Sequence, residues 1–382
     1  MIYADCAATL PVSPPVYEEV CRVMKECWGN PSSIYSAGRQ AKNIIEDARE
    51  RCAALIGAYP DEVFFTSGGS ESNNHAIKTT FLSAKSSENT SPRIIISATS
   101  HHSALNAAGA VKEQGAEVTQ LYPDKDGLLP LSFPTADDTV LLSAELINNE
   151  TGVIQDVKSL SDRAHGCGAV FHADCVAALG HIKIDCHAMG LDIASFSGHK
   201  VGAPKGIGIL YCKRGLKRHS FIHGGGQERG IRAGTENTAY IAGLAAALEE
   251  NARSLEEREK NLLSQKECLI RTLGGCFPDM RVNGSTQRST GGILNISFEG
   301  ISGDELVLML DREEICISSG SACAAGALTP SHVLRAMGVK QAGNAVRLSF
   351  YSPLGEDERD RLCSCIIRSV QKIRETGGIN LS

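Results

Sequence analysis

The sequence predicts an α/β protein with a large domain, whose mostly parallel sheet is flanked by helices, and a smaller α+β domain. Three observations carry this. Short apolar, β-rich runs recur at 63–66, 93–97, 117–122, 139–143, 169–172 and 193–196, with helical or loop stretches between them, a rhythm that suits parallel strands joined by crossovers. From Glu236 to about Leu273 the chain is rich in Ala, Leu and Glu with helical periodicity, one long helix or two in succession. After Gly274 and Gly275 the pattern changes to short strands and helices at 293–298, 303–311, 315–318, 330–337, 346–350 and 356–373. The expected division is a large domain over 12–255 and a small one formed by 1–11 together with 256–382.

Taken in order, 14–27 reads as a short helix and 29–33 as a loop, from its Gly, Asn, Pro and Ser content. A helix follows over 37–56. The run 63–66 is a strand, and Ser67, Gly68, Gly69, Ser70, Glu71 and Ser72 open a helix that continues to about Ala84. Strand, glycine turn and helix start make an anion site, because backbone N–H groups and the helix dipole point at one place. Gly69 and Ser70 are therefore the candidate phosphate cradle. His101, Asn149, Asp174 and Lys200 each lie just past an apolar run, where ligands gather in parallel sheets.

The composition is that of an ordinary globular chain: 382 residues, 42% apolar, net charge -6. The basic residues are dispersed, so neither nucleic acid nor an anionic membrane is an expected partner. The N-terminus has no basic start, and no run reaches the ~18 apolar residues of a membrane span, so a cytoplasmic location is expected. Fourteen cysteines are scattered without a Cys-x-x-Cys pair, which reads as reduced thiols rather than a disulfide framework. Cys363 and Cys365 are the closest two, but on a helix they would not share a face. No metal site is expected.

Lys200 ends the segment Ser197-Gly198-His199-Lys200, between an apolar run and a Gly-rich stretch. A lysine so placed sits partly desolvated, which lowers its pKa and makes its amine a nucleophile toward an aldehyde. Asp174 closes another run, 26 residues earlier. Pyridoxal 5'-phosphate needs both parts, a lysine to join it covalently and a carboxylate to keep its ring nitrogen protonated.

Together with His172-Ala173-Asp174, the segment 223–229 and Ser318-Ser319-Gly320-Ser321-Ala322-Cys323, these residues resemble the NifS/IscS-like cysteine desulfurases, which are fold-type I pyridoxal-phosphate enzymes of the class V aminotransferase family. The resemblance runs from Tyr3 to about Gln371. It implies a PLP-dependent desulfurase that converts L-cysteine to L-alanine and leaves a persulfide on Cys323. In that reading His101 stacks on the cofactor and shuttles protons, Asn149 lies near the ring hydroxyl and the substrate, and Ser197 and His199 hold the phosphate. Arg347 clamps the substrate carboxylate. Thr235 reaches the phosphate of the neighbouring subunit, so a homodimer is implied, and a sulfur-acceptor protein is an expected partner in iron-sulfur or thiolation pathways. The small residues around Cys323 predict a mobile loop.

The sequence departs from the family pattern at five places. Ala177 stands where the family has a Gln that bonds the ring hydroxyl, and Ser100 stands where it has Glu. Cys6 and Leu10 replace more polar residues, and Tyr35 replaces a usual His. Selenocysteine lysis, cysteine sulfinate lysis, transamination or a weakly active cofactor-binding protein are the alternatives these departures leave open.

Overall fold

The computed structural model describes residues 1–86, 91–217, 219–319 and 330–377. A short strand β1 (Ile2–Tyr3) precedes two helices, α1 (Pro14–Glu26) and α2 (Ser36–Leu55). Pro14 and Pro15 sit in the first turn of α1, where a missing N–H breaks no helical hydrogen bond. Val16, Val20 and Val23 form its buried stripe. Strand β2 (Val63–Thr66) then turns sharply into α3 (Gly69–Lys85). Gly68 makes that turn with a φ of 147°, a conformation that other residues rarely adopt.

The chain continues through β3 (Arg93–Ser97), α4 (His102–Lys112), β4 (Glu117–Leu121), β5 (Thr139–Glu145), α5 (Val157–His165), β6 (Val170–Asp174), β7 (Ile193–Ser197) and β8 (Gly208–Cys212). These strands build one seven-stranded sheet in the order β2-β8-β7-β6-β5-β3-β4. The ladders from β7 to β4 are parallel, whereas β8 runs antiparallel to both of its neighbours. Strand β8 lies in the Gly-rich stretch after Lys200, which the sequence pattern alone does not mark as a strand. Its alternation is masked because Gly208 stands where a side chain would betray a strand. That glycine is needed, since a Cβ there would lie 2.6 Å from the Cα of Gly68. Thr66 and Ser197 both pair with Gly208, so β8 sets the ends of β2 and β7 side by side.

Helices α6 (Thr238–Arg253) and α7 (Leu255–Cys276) follow, separated at Ser254, whose φ of -125° is not helical. The long helical stretch of the sequence is thus two helices. Beyond them come β9 (Arg281–Val282), β10 (Ile293–Ser297), α8 (Gly303–Asp311), β11 (Ile315–Cys316), α9 (His332–Ala336), β12 (Ala345–Ser349) and α10 (Glu356–Thr376). Strands β12, β10 and β9 form an antiparallel sheet, and β1 returns to pair with β11 in parallel. Two large apolar cores result. One draws on residues from Val16 to Leu248, the other on Ile2, Ala4 and residues from Leu262 to Ile373. No helix among the described residues is long and apolar enough to cross a membrane.

Candidate active site

The carboxyl ends of β6 and β7 meet the N-terminus of α3. Asp174 ends β6 and is buried, with its Oδ1 accepting the Val176 N–H at 3.0 Å and its Oδ2 accepting the Asn73 Nδ2 at 2.7 Å. The same Asn73 nitrogen donates to Ser103 Oγ at 2.9 Å, and that hydroxyl lies 2.8 Å from His101 Nδ1. His101 is also the N-cap of α4, accepting the Ser103 N–H. A single chain of polar contacts therefore links Asp174 to His101 through Asn73 and Ser103. Burial holds the His101 imidazole below its ordinary pKa; Asp174 opposes that shift, and Lys200 and His102 reinforce it. The ring is neutral at pH 7 and can accept a proton.

Asn73 was not found by sequence reasoning, because a helix-interior Asn carries no motif. Its contacts exist only once β6 is laid against α3. Its Oδ1 is buried and has no hydrogen-bond partner among the described residues. His172, which the sequence motif includes, lies inside the sheet with its ring nitrogens bonded to Ser143 and Ser195. It braces β6 rather than facing a ligand.

Ser197 ends β7 at the mouth of α3. A Cβ added to Gly68 would lie 3.5 Å from Ser197 Oγ, and one added to Gly69 would strike Val176 at 2.5 Å. The approach is thus reserved for glycine, and the first N–H groups of α3 have no carbonyl of their own helix to bond. Gly69 is buried there, while Ser70 is exposed. His199 contacts Thr9 Oγ1 at 3.2 Å, and burial with the nearby Lys200 and Lys205 charges pushes its imidazole down to about 4. Lys200 Nζ donates to the carbonyls of Ala7 and Ala8, the latter at 2.9 Å.

Donors, carboxylate and amine together fit a phosphorylated pyridine aldehyde. The α3 N-terminus, Ser197 and His199 suit its phosphate, Asp174 suits its ring nitrogen, and Lys200 suits its aldehyde. The glycine cradle and the unpartnered Asn73 Oδ1 are features that a bound polar group would use.

Arg347 lies in β12, 3% exposed. Its Nη1 donates to the main-chain carbonyl of Asn149 at 3.0 Å and its Nη2 to Asp5 Oδ1 at 2.7 Å, while its Nε is buried without a partner among the described residues. Asn149 thus meets Arg347 through its backbone. Neighbouring Glu150 is buried and accepts a hydrogen bond from Ser331 Oγ. Burial raises its carboxyl to about 7, against the Ser331 hydroxyl and the Arg347 charge, which lower it. A carboxyl raised in this way favours folding fully only below the ordinary value of 4.5, and that advantage is lost as pH rises toward about 7. Replacing Glu150 with Gln should therefore improve stability relative to wild type between pH 5 and pH 8, by up to about 3 kcal/mol. Denaturant titrations at the two pH values test this, and a pH-independent difference would contradict it.

Cys323 lies outside the described residues. The described positions on either side lead to this same place: the Ser318 backbone pairs with that of Arg347, and Ser331 bonds Glu150. His332 Nε2 reaches the Ser100 carbonyl at 3.0 Å. Among the described thiols, burial pushes Cys52 up to about 12 and Cys6 and Cys363 to about 11, so all three are protonated and inert near neutral pH.

Thr235 is exposed on the loop before α6. The nearby motif 223–229 is held by Glu228, which takes a two-pronged ion pair from Arg49 at 2.8 and 2.9 Å and the Phe65 N–H at 2.9 Å. Of the departures, Ser100 is buried with its Oγ 3.3 Å from Glu145, and Leu10 is buried. Ala177 packs against the larger core, and Tyr35 is exposed.

A family model described as aminotransferase class-V matches residues 2–362. Cysteine desulfurase IscS of Methanosarcina thermophila is 39% identical over 378 residues, spanning 98% of this chain and 93% of that protein. Cysteine desulfurase IscS of Clostridium botulinum is 38% identical over 381 residues, spanning 98% and 95%. Among solved structures, a NifS-like protein superposes with a TM-score of 0.90 at 32% identity, covering 97% of this chain and 99% of its own.

Proposed function

The chain belongs to the aminotransferase class-V family and is a cysteine desulfurase within it, and from that premise we propose which of its residues do the work. Pyridoxal 5'-phosphate is the cofactor, held by Lys200, by Asp174 at the ring nitrogen, and by Ser197, His199 and the α3 N-terminus at the phosphate. When bound, it supplies an electron sink for the bonds broken at the substrate's α-carbon. The observation that carries the reading is the polar chain from Asp174 through Asn73 and Ser103 to His101, an imidazole that also feels the nearby Lys200 charge.

L-cysteine is the substrate, and its α-carboxylate is held by Arg347, whose buried Nε has a donor to spare. Lys200 Nζ carries the proton that leaves Cα. His101, neutral at pH 7, moves protons at its imidazole nitrogen. Cys323 takes the substrate sulfur: its thiol sulfur bonds that sulfur as the Cβ–S bond breaks, and the carbon left behind is protonated to give L-alanine. Cysteine plus thiol thus becomes alanine plus persulfide, which is passed to an acceptor protein. In this reading the enzyme is a homodimer in which Thr235 serves the neighbouring site, consistent with its exposure here.

Incubation of the purified protein with L-cysteine and a thiol reductant should give L-alanine and sulfide in equal amounts. Formation of a 2-oxoacid without sulfide would favour transamination and refute the assignment. Replacing Arg347 with Ala should raise the Michaelis constant for cysteine by roughly ten- to a hundredfold, the worth of charged hydrogen bonds, and leave the cofactor absorbance intact. An unchanged Michaelis constant would remove Arg347 from the substrate site.

A further inference from the structure

We propose that Asp5 is a resident rival of the substrate for Arg347, so that a ligand must bring its own carboxylate to displace it; the inference rests on the assignment of Arg347 to the substrate carboxylate. A guanidinium grips a carboxylate through two parallel donors, either Nε with Nη2 or Nη1 with Nη2. Both edges use Nη2. That nitrogen already donates to Asp5 Oδ1 at 2.7 Å, while Nη1 is held by the Asn149 carbonyl and Nε has no partner. Nη2 has two N–H groups, so a two-pronged hold on an incoming carboxylate would set that carboxylate and Asp5 on the same nitrogen, and it is their charges that then compete.

Charge makes the two carboxylates competitors rather than companions. Arg347 is buried in a place of low polarisability, where one carboxylate neutralises it and a second, only a few ångströms from the first, is repelled. Exchange of one for the other keeps the buried charge compensated throughout, which an empty guanidinium would not. Asp5 is built for exchange. Its backbone is fixed beside β12 by the Asp5–Ser349 bridge and the Cys6 N–H bond to the Ser349 carbonyl, yet its side chain keeps 19% exposure and a path to water. The same segment supplies the Ala7 and Ala8 carbonyls that meet Lys200, so it touches both the cofactor lysine and the substrate arginine. An amine lacking a carboxylate leaves the Asp5–Arg347 pair in place and gains nothing from Arg347, which makes the pair a filter for amino acids.

Calorimetric binding of L-alanine and of ethylamine to the holoenzyme tests this without any sulfur chemistry. Asp5→Asn keeps the shape of the side chain and removes its charge. It should bind L-alanine about tenfold more tightly, the scale of one charge-assisted hydrogen bond, and bind ethylamine as the wild type does. Asp5→Ala should change L-alanine binding in the same direction. In an Arg347→Ala background the Asp5→Asn change should have no effect on L-alanine. Weaker L-alanine binding by both Asp5 variants would overturn the proposal and make Asp5 a residue that orients Arg347. Unchanged binding would overturn it as well. If Arg347→Ala alone leaves L-alanine affinity intact, the assignment of Arg347 fails, and the proposal falls with it for that separate reason.

Discussion

Replacement of Lys200 with alanine should lower turnover by on the order of 10^4-fold, the upper end of what one positioned proton carrier contributes, because in the proposed mechanism the same Nζ also tethers the cofactor. The structure places this amine against the Ala7 and Ala8 carbonyls, on a residue three positions past the end of β7. Borohydride reduction of the wild-type holoenzyme should fix the cofactor to the peptide containing Lys200, as read by mass spectrometry. The variant should give no fixed cofactor. An adduct on a different lysine would contradict the assignment.

Replacement of Asp174 with asparagine should reduce the catalytic constant by roughly 10^2- to 10^3-fold, the scale seen when one preorganised electrostatic partner is removed. A neutral amide can still accept the Val176 N–H, but it cannot hold a proton on the ring nitrogen and it sets an NH2 group against Asn73 Nδ2 or against Val176. The fall should appear in the catalytic constant more than in the Michaelis constant, since Arg347 is untouched. Full retention of activity would show that the ring nitrogen needs no carboxylate from this position.

What could be read from sequence was governed by how local its physical cause is. Asp174, Ser197 and Gly69 were legible because each ends a strand or begins a helix, and short apolar runs with glycine turns mark such points along the chain. The α3 entrance was legible for the same reason, and Gly68 and Gly208 show why glycine is required there. Strand β8 escaped because its apolar residues are set among glycines, and only its pairing between β7 and β2 makes it a strand. Asn73 escaped because its meaning comes from Asp174, 101 residues away. Asp5 and Arg347 are separated by 342 residues, and Glu150 and Ser331 by 181. No periodicity or turn chemistry carries information over such distances, so those partners required the folded chain.

The central claim is that Cys323 receives the sulfur. It is tested most directly by exposing the holoenzyme to L-cysteine without reductant, blocking thiols, and mapping the peptides by mass spectrometry. One added sulfur atom on the peptide containing Cys323 is the expected result, with alanine formed in equal amount in the first turnover. Cys323→Ser should keep the cofactor absorbance but release no sulfide, because a hydroxyl is barely ionised near pH 7 and is a poor nucleophile toward sulfur. Full desulfurase activity in that variant, or a persulfide found on another cysteine in the wild type, would contradict the account.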